Sequence, residues 1–534
     1  MPRICTSRAN LPKPGILHVL GLLLLCALQA RNAWGAAESR PSRHSFIPLQ
    51  RQIEAILRGA EARRGHWGIE VVRVRDGKIL YTRDAESLYL PASNMKLFTT
   101  AAALEKLGPD FVFRTTVETE TAPDAEGSVP DLRLVGRGDP GLGLPQKDAL
   151  AQSAAISSDE PGEAIFQKLA DQVAAHGVRE VKGNLIADDS YFFFEPYSHG
   201  WDEEDMQWGY GAPVTALAFR DNALLLRVQP AAKAGERAEV RLEPVADYYQ
   251  VNNRLETVGA GARKQILIER LPGSMQLDVW GEIPLDVGEN QDSVSIANPS
   301  ELMGELFRRA LEARGIVVGG RVAVRHLTRL EAATAPEPLP KLPPRVALAE
   351  HLSPPLAQGI AAINKVSNNL HAEMLLRTLG HEVKGNGSLT AGLEVLQEFA
   401  AQVGIEATAV KPVDGSGLSR QDLVAPRAIT KLLEYMAASP RFQAFLDSLP
   451  VSGKDGTLAD RFRGPPTGGR IHAKTGSMEH VNALSGYMDL PSGERLAFAI
   501  IGNNHPTKPD QGEAVVDRIA LVIYRHFAGR RGKK

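Results

Sequence analysis

Cysteine is nearly absent from this chain. Two cysteines occur among 534 residues, Cys5 and Cys26, and both lie within the first 36 positions. Downstream of that segment there is no thiol, which excludes disulfide bonds, cysteine metal sites and a cysteine nucleophile. A His-Glu-x-x-His metalloprotease motif is also missing. We therefore expect neither a metal ion nor another cofactor.

The chain also has no strong excess of charge of either sign. Its formal net charge is −2, and removal of the four basic residues in the first 36 positions would change it to −6. The short basic tail at 530–534 fits a solvated chain end, so we expect no nucleic-acid partner. A hydrophobic content of 43% and a charged content of 23% are ordinary for a soluble globular protein.

A long apolar run is found only near the amino terminus, at residues 16–30. Basic residues precede it and small residues follow at 33–37, which is the arrangement of a secretory signal peptide cleaved near residue 36. An uncleaved membrane anchor is the alternative, but the run is short for one. We expect a secreted protein with no stable membrane anchor after cleavage.

The rest of the sequence predicts a mixed α+β protein with a long insert. A helical pattern at 49–57 is followed by two strand-like runs that flank Asp76-Gly77, a strong hairpin signal. From about residue 117 the pattern changes to short strands and turns. Long helices return after a proline-rich stretch at 336–344, and the chain ends in three strand-like runs and an amphipathic helix.

These elements predict a five-stranded, largely antiparallel sheet made from the first hairpin and the three late strands. The terminal helices would pack on one face, and the helical region that follows Ser93 would pack on the other. The length of the chain requires more than one core. The predicted organisation is a signal peptide (1–36), one domain in two segments (37–116 and 345–534), an inserted β-rich region with two subdomains (117–335) and a proline-rich linker (336–344).

Ser93 and Lys96 form the first candidate catalytic pair. They lie one turn apart in a predicted helix that runs from Ser93 to a stop at Gly108-Pro109. The helix dipole and free backbone N–H groups at this end favour developing negative charge. A buried lysine with a lowered pKa can take the serine proton and make the hydroxyl a nucleophile. The spacing alone also fits a serine cap followed by a solvated lysine, so a catalytic role needs support from other motifs in the sequence.

Two later groups support a catalytic site. Ser367-Asn368-Asn369 falls between predicted helices, where a loop can project a hydroxyl and an amide into a cleft. Lys474-Thr475-Gly476-Ser477 lies at the end of a predicted strand, Arg470 to Lys474, at the edge of the same cleft. Its lysine and two hydroxyls can bind a carboxylate, and Gly476 leaves room for a ligand backbone. The three motifs in this order are the signature of class A β-lactamases and penicillin-binding proteins.

The chain resembles the D-Ala-D-Ala carboxypeptidase/endopeptidase group of low-molecular-mass penicillin-binding proteins. Ser93 and Ser367 are 274 positions apart, which fits the large insert of that group and not a compact β-lactamase. Other similar stretches are Gly138-Asp139-Pro140, Asp188 to Phe192, Asp414 to Arg420 and Gly456-Thr457-Leu458. The resemblance implies a penicillin-binding/β-lactamase-like transpeptidase domain with inserted β-rich domains, located in the periplasm or outer cell envelope.

The resemblance also implies a serine DD-peptidase that acts on peptidoglycan stem peptides and cross-links. Ser93 would attack the carbonyl between two D-amino acids, and Lys96 would take its proton. Ser367 would relay a proton to the leaving amine, while Asn369 would bind Lys96 and the substrate amide. Backbone N–H groups of Ser93 and Ser477 would form the oxyanion hole, and the lysine of the third motif would keep the site cationic. β-Lactam antibiotics would acylate the serine as covalent inhibitors.

Members of this group also bind the side chain of the third residue of the stem peptide, often diaminopimelate. The matching positions here are Asp188, Arg420 and Glu479. A carboxylate facing the ammonium and a guanidinium facing the carboxylate would suit that zwitterion. A turn residue is the alternative for Asp188, and a solvated charge is the alternative for Glu479.

Two other functions stay open on the sequence alone. A serine β-lactamase would use the same motifs but would need fast deacylation of the penicilloyl-enzyme. A non-catalytic cell-wall-binding protein would use the insert and would have lost turnover, against which the three intact motifs argue. Carboxypeptidase and endopeptidase reactions use the same serine chemistry, so we expect both.

Overall fold

The computed structural model describes residues 48–144, 162–334 and 345–529. The predicted signal peptide with both cysteines, the proline-rich linker at 336–344 and the basic tail at 530–534 lie outside these ranges. The helices of the described ranges are α1 (Leu49–Leu57), α2 (Met95–Lys106), α3 (Ala164–Ala175), α4 (Pro299–Glu312), α5 (Arg329–Thr334), α6 (Leu356–Lys365), α7 (Asn369–Lys384), α8 (Leu389–Val403), α9 (Pro426–Ala438), α10 (Phe442–Ser448) and α11 (Pro509–Ala528).

The strands follow the predicted change of pattern, with many short strands in the middle of the chain. They are β1 (His66–Arg73), β2 (Lys78–Arg83), β3 (Arg114–Thr119), β4 (Ser128–Val129), β5 (Leu132–Val135), β6 (Glu180–Val181), β7 (Leu185–Phe193), β8 (Ala223–Gln229), β9 (Glu239–Glu243), β10 (Gln250–Val258), β11 (Gln265–Glu269), β12 (Gln276–Pro284), β13 (Asn290–Ser295), β14 (Val317–Val318), β15 (Val322–Leu327), β16 (Val346–Leu352), β17 (Val410–Lys411), β18 (Leu423–Val424), β19 (Ile471–Met478), β20 (Val481–Asp489) and β21 (Arg495–Asn503).

The predicted five-stranded antiparallel sheet is confirmed, with the strand order β19-β20-β21-β1-β2. The first hairpin turns at Asp76-Gly77, where Gly77 has φ +66°, a conformation that glycine adopts without steric cost. The backbone N–H of Lys78 donates to Oδ1 of Asp76 across the turn at 3.3 Å. Ile69 of β1 lies opposite Ile500 of β21, so an early and a late segment of the chain pair in one sheet.

Side chains alternate between the two faces of this sheet, as the period of a strand requires. On one face, Phe498 and Ile500 pack in a core with Ile53 of α1 and Ile519 of α11. On the other face, Ala499 and its alternate neighbours pack against α2 and the helices from α6 to α10. Each buried Ile or Phe contributes about 1.5–3 kcal/mol to folding relative to an exposed one. The sheet therefore holds α2, which follows the candidate nucleophile, in a fixed position.

A second five-stranded sheet, in the order β15-β7-β5-β3-β16, dominates the middle of the chain. Smaller sheets, β10-β12-β11, β13-β8-β9 and β14-β6-β4, complete that region. β3 and β16 pair antiparallel although more than two hundred positions separate them, with Val346 opposite Thr119. The predicted boundary at 116/117 thus falls inside β3, and that at 344/345 falls just before β16. The division into domains stays a prediction.

Within the three described ranges, no helix combines the length and the apolar character needed to cross a membrane.

Candidate active site

Ser93 lies in a 3₁₀ turn, Ala92–Asn94, and the α-helix begins two residues later at Met95. The predicted helix from Ser93 onward was therefore placed slightly too early. The turn is shaped by Ala92, whose φ of +46° is unusual for a residue with a side chain. Nδ2 of Asn94 donates to Oγ of Ser485 at 3.2 Å, which ties the turn to β20. Ser93 still stands at the amino-terminal end of the helix, where the dipole favours negative charge.

Lys96 makes three hydrogen bonds inside the protein. Its Nζ lies 2.9 Å from Oγ of Ser93, 2.6 Å from Oδ1 of Asn369 and 2.6 Å from the carbonyl oxygen of Ser416. The side chain is fully buried, so these contacts replace the solvation that the amine has lost. The first two contacts join the Ser-x-x-Lys and Ser-x-Asn motifs, as the resemblance implied.

Burial lowers the pKa of Lys96 to about 7, while the carboxylates of Asp414, Glu373 and Asp422 act in the opposite direction. Burial of those carboxyls in turn raises the pKa of Glu373 and Asp422. The charge of Lys474 was expected to lower the pKa of Lys96, but desolvation is the main cause. A lysine with a pKa near 7 is neutral in a large fraction of molecules at neutral pH, as a general base must be.

The carbonyl of Ser416 is held in place by a largely buried loop within the stretch Asp414 to Arg420, whose role the sequence alone does not indicate. Oε1 of Glu373 accepts from the backbone N–H groups of Gly415 and Ser416 at 2.8 and 2.9 Å. Oδ1 of Asp414 accepts from the backbone N–H of Gly417 at 2.6 Å. A Cβ on Gly417 would lie 1.9 Å from the carbonyl oxygen of Ala92, so the loop packs directly on the turn of the candidate nucleophile.

The second motif forms the entry to α7. Ser367 has φ +65°, and its Oγ accepts from Nζ of Lys474 at 2.9 Å. Oδ1 of Asn368 caps the helix by accepting from the backbone N–H of His371 at 3.0 Å. Nδ2 of Asn369 donates to the carbonyl oxygen of Tyr210 at 2.9 Å, so the middle region of the chain orients a candidate catalytic side chain. Sequence patterns give no signal for this contact, because its acceptor is a backbone atom.

The third motif lies within β19, which continues to Met478 rather than ending at Lys474 as predicted. A Cβ on Gly476 would lie 2.8 Å from the carbonyl oxygen of Pro91 and 3.2 Å from Cβ of Ala92. We expected this glycine to admit a ligand backbone, whereas its close contact is with the protein's own turn. The glycine is required because β19 presses against the turn that carries Ser93.

Lys474 is fully buried, and its Nζ also donates to the carbonyl oxygen of Thr475 at 2.8 Å. Burial lowers its pKa well below the usual range, and the positive charge of Lys96 lowers it further. Two ammonium groups in one desolvated site repel each other. The site therefore favours a state in which the two lysines are not both charged.

A cleft of about 240 Å³ opens above these groups. Its walls include residues from all three motifs, namely Ser93, Ser367, Thr475, Gly476 and Ser477. Oγ1 of Thr475 donates to Oγ1 of Thr457 at 2.8 Å. Among the described residues, no group of three or more His, Cys, Asp or Glu side chains is arranged to hold a metal ion.

The structure does not gather the three predicted pocket residues around this cleft. Asp188 is buried in β7, where its carboxylate accepts from Arg133 at 3.2 Å and from Oγ of Ser190 at 2.6 Å. Arg420 forms an ion pair with Asp202. Glu479 has a side chain that is 71% exposed and lies near a histidine. Of these three residues, none lines the cleft.

The chain is similar in sequence to known carboxypeptidases. The sequence profile of the D-Ala-D-Ala carboxypeptidase 3 (S13) family matches residues 49–523. A D-alanyl-D-alanine carboxypeptidase from Actinomadura sp. strain R39 is 36% identical over 99% of this chain and 93% of its own length. The D-alanyl-D-alanine carboxypeptidase DacB of Haemophilus influenzae is 25% identical over 82% of this chain and 86% of its own length.

The fold of the chain is also similar to that of a solved structure. Penicillin-binding protein 4 (dacB) from Haemophilus influenzae superposes with a TM-score of 0.73 at 22% identity, covering 90% of this chain and all of that chain. The predicted fold class, a penicillin-binding/β-lactamase-like α+β domain with extra domains, is confirmed. Because the profile spans most of the chain and a relative is more than one third identical over nearly its whole length, the chain belongs to the D-Ala-D-Ala carboxypeptidase 3 (S13) family.

Proposed function

We propose that this protein is a serine D-alanyl-D-alanine carboxypeptidase and endopeptidase that hydrolyses peptidoglycan stem peptides and cross-links. The observation that carries the proposal is the position of Nζ of Lys96, 2.9 Å from Oγ of Ser93, at a lysine whose pKa burial lowers to about 7. A solvated lysine beside a serine cap would have neither property. The names of the relatives and the family support the carboxypeptidase activity.

In the first step, Oγ of Ser93 attacks the carbonyl carbon between two D-amino acids and its proton passes to Nζ of Lys96. The carbonyl oxygen becomes an oxyanion, which the backbone N–H groups of Ser93 and Ser477 stabilise. Asn369 holds Lys96 through Oδ1 and is placed to bind the amide of the substrate. The dipole of α2 adds to the stabilisation of negative charge at its amino-terminal end.

In the second step, the carbon–nitrogen bond breaks and the leaving amine needs a proton. Ser367 is hydrogen-bonded to Lys474 and lines the cleft, so its hydroxyl can donate to the amine and in turn recover the proton that Lys96 took from Ser93. The free carboxylate of the leaving residue binds beside Lys474, Thr475 and Ser477. That negative charge favours a protonated Lys474, which in turn favours a neutral Lys96. Water then hydrolyses the acyl-enzyme on Ser93, whereas a penicillin leaves the serine stably acylated.

We place the enzyme in the cell envelope, after export by the predicted signal peptide. Its partners there would be the muropeptides of peptidoglycan, with β-lactam antibiotics as covalent inhibitors and no nucleic acid. We further propose that residues 37–116 and 345–534 form the peptidase domain, and that 117–335 form the inserted region. Because Nδ2 of Asn369 donates to the carbonyl oxygen of Tyr210, the insert helps to position the active site.

The alternatives differ from this proposal in whether an acyl-enzyme forms and in how long it persists. We would label the purified protein with a fluorescent penicillin and follow the adduct over time, alongside release of D-alanine from a peptide ending in D-Ala-D-Ala. A persistent adduct with D-alanine release supports the proposed peptidase. Rapid loss of the adduct would instead identify a β-lactamase, and absence of both labelling and release would identify a non-catalytic wall-binding protein.

Acylation of Ser93 is expected to depend on pH through Lys96. Only the neutral amine can accept the serine proton, so the rate should rise as the pH is raised through about 7 and level off above it. About one unit below the pKa, the neutral fraction falls to roughly one tenth. The measurement is the second-order rate of penicillin acylation between about pH 5 and pH 9. A rate that is constant over this range would contradict the assignment of Lys96 as the base.

A matched variant separates the role of Lys96 from that of other titrating groups. Lys96→Arg keeps a positive charge but holds a guanidinium that stays protonated throughout this range. Acylation by this variant should be lost at every pH, with no recovery on the alkaline side. Recovery at high pH would show that another group supplies the base.

Arg420 is the member of the predicted pocket that we propose binds the free carboxylate of a stem-peptide side chain, with Glu479 at the rim. Its guanidinium pairs with Asp202 at the surface, so a ligand carboxylate would exchange with that partner. Asp188 could receive an ammonium only after its contacts with Arg133 and Ser190 were broken. Arg420 is therefore the better position for a test.

Arg420→Ala is expected to lower kcat/KM about tenfold for muropeptides with a free diaminopimelate end, since about one charge-assisted hydrogen bond is lost. Penicillin lacks that side chain, so its acylation rate should fall much less. Steady-state kinetics on both ligands provide the measurement, with the exposed Arg64→Ala as a control. Equal losses on the two ligands would mean that Arg420 supports the fold or the catalytic centre.

A further inference from the structure

The cleft extends beyond the third motif towards the carboxy-terminal helix. Its far wall is formed by Asn482 of β20, by Glu513 and Val516 of α11, and by Arg461. Ile471 and Ala473 of β19 pack in the core that includes α11. Alternation along the strand places Thr475 and Ser477 on that same face. The wall is thus continuous with the two hydroxyls proposed to bind the substrate carboxylate.

The position of the carboxylate shows which part of the substrate would reach this wall. In a D-Ala-D-Xaa peptide, the free carboxylate belongs to the leaving residue. If Lys474, Thr475 and Ser477 bind that carboxylate, the side chain of the same residue lies within a few bonds of it. The methyl group of D-alanine is too short to extend along the wall. A leaving residue within a cross-link has a long side chain that continues into the second stem peptide.

The guanidinium of Arg461 in the far wall is bound by two carboxylates of α11. Nε of Arg461 donates to Oδ2 of Asp517 at 3.2 Å, and its Nη1 donates to Oε2 of Glu513 at 3.0 Å. The Arg461 side chain is only 10% exposed, whereas that of Glu513 is 44% exposed. Two carboxylates therefore face one guanidinium. Among the described residues, Oε1 of Glu513 accepts no hydrogen bond.

We infer that Arg461, Asn482, Glu513 and Val516 form a leaving-residue subsite, which accepts a side chain longer than methyl and ending in an N–H donor. This inference rests on the proposed function, because it needs a peptide bound with its carboxylate at the third motif. Val516 contacts the aliphatic part of the side chain, and Glu513 accepts from its amine or amide. Arg461 is a positioning residue that holds Glu513 and Asp517 on α11.

The test compares peptides that differ only in the leaving residue, diacetyl-L-Lys-D-Ala-D-Lys against diacetyl-L-Lys-D-Ala-D-norleucine. The two leaving side chains have similar length, and only the first ends in a cation. Wild-type enzyme should prefer D-Lys, and Glu513→Gln should lower the ratio of the two kcat/KM values about fivefold, as loss of one partly exposed charge contact. The change should appear mainly in KM, because Glu513 does not touch the reacting atoms.

Asp510→Asn is the matched control, since it removes a like charge from the exposed first turn of the same helix. The D-Lys preference of this variant should equal that of the wild type. An unchanged ratio in Glu513→Gln, or an equal fall in both variants, would overturn the subsite. If the wild type cleaves neither peptide while a penicillin still labels Ser93, the proposed peptidase function fails, and the subsite fails with it. Cleavage of both peptides without preference overturns the subsite alone.

Discussion

Replacing Ser93 with alanine is expected to abolish both labelling by a fluorescent penicillin and release of D-alanine from peptides. The acyl-enzyme forms on Oγ of Ser93, and among the described residues no other hydroxyl lies at hydrogen-bond distance from Nζ of Lys96. Loss of a catalytic nucleophile lowers turnover by roughly 10⁴-fold or more. Labelling on denaturing gels and a coupled assay for D-alanine measure the two losses.

The variant should remain folded, which makes the result interpretable. Ser93 is only partly buried, and its hydroxyl forms one hydrogen bond with Lys96. Removing it costs about 1 kcal/mol of stability, because Lys96 keeps Asn369 and Ser416 as acceptors. The exposed Ser87→Ala serves as a control that should label normally. Persistent labelling of Ser93→Ala, with an unchanged melting temperature, would place the nucleophile elsewhere.

Replacing Lys474 is also expected to have a large effect. Its ammonium is the group proposed to bind the carboxylate of the leaving residue, and its Nζ holds Oγ of Ser367 at 2.9 Å. Lys474→Ala removes both functions, and truncating one partner of a buried charged pair costs about 2–5 kcal/mol. The second-order rate of penicillin acylation should therefore fall by about 10²-fold or more. Stopped-flow or gel-based acylation kinetics give this rate.

The alanine variant also leaves a cavity, because Lys474 is fully buried. Lys474→Met is the matched variant, since it fills most of the space of the lysine stem without an amine. Both variants should lose acylation, whereas only the alanine variant should also lose several degrees of Tm. A Lys474→Met enzyme that acylates within about twofold of wild type, under 0.5 kcal/mol of barrier, would refute the role of the amine.

Several parts of the site could be predicted because they depend on local pattern. The hairpin at Asp76-Gly77 and the three late strands follow from turn residues and alternating hydrophobicity. Together these five strands make up the sheet β19-β20-β21-β1-β2. The spacing of Ser93 and Lys96 places both on one turn in either helix type. The end of β19 was missed because Thr475-Gly476-Ser477 has no strand-like pattern, although Gly476 pairs with Ala483 in the ladder.

The prediction that Asp188 lines a side-chain pocket rests on sequence resemblance, which gives no information about the residues that surround it in the fold. Asp188 was matched from a short stretch of similar residues, without knowledge of its neighbours in space. In the fold, β7 lies between β15 and β5, and Arg133 of β5 reaches Asp188. That pairing depends on the order of strands in the second sheet. No pattern along the chain specifies it.

By itself, the sequence determined which chemical groups are available and in what order. It supplies a serine, two lysines, a second serine and an asparagine on elements whose local patterns are strong, and it supplies no thiol after the first 36 positions. Only the tertiary structure decided that Lys96 is desolvated enough to have a pKa near 7. The burial that lowers this pKa comes from residues far along the chain, since Asn369 and Ser416 contact the amine from 273 and 320 positions away. Solvation depends on everything that packs around a group, so it exists only once the chain has folded.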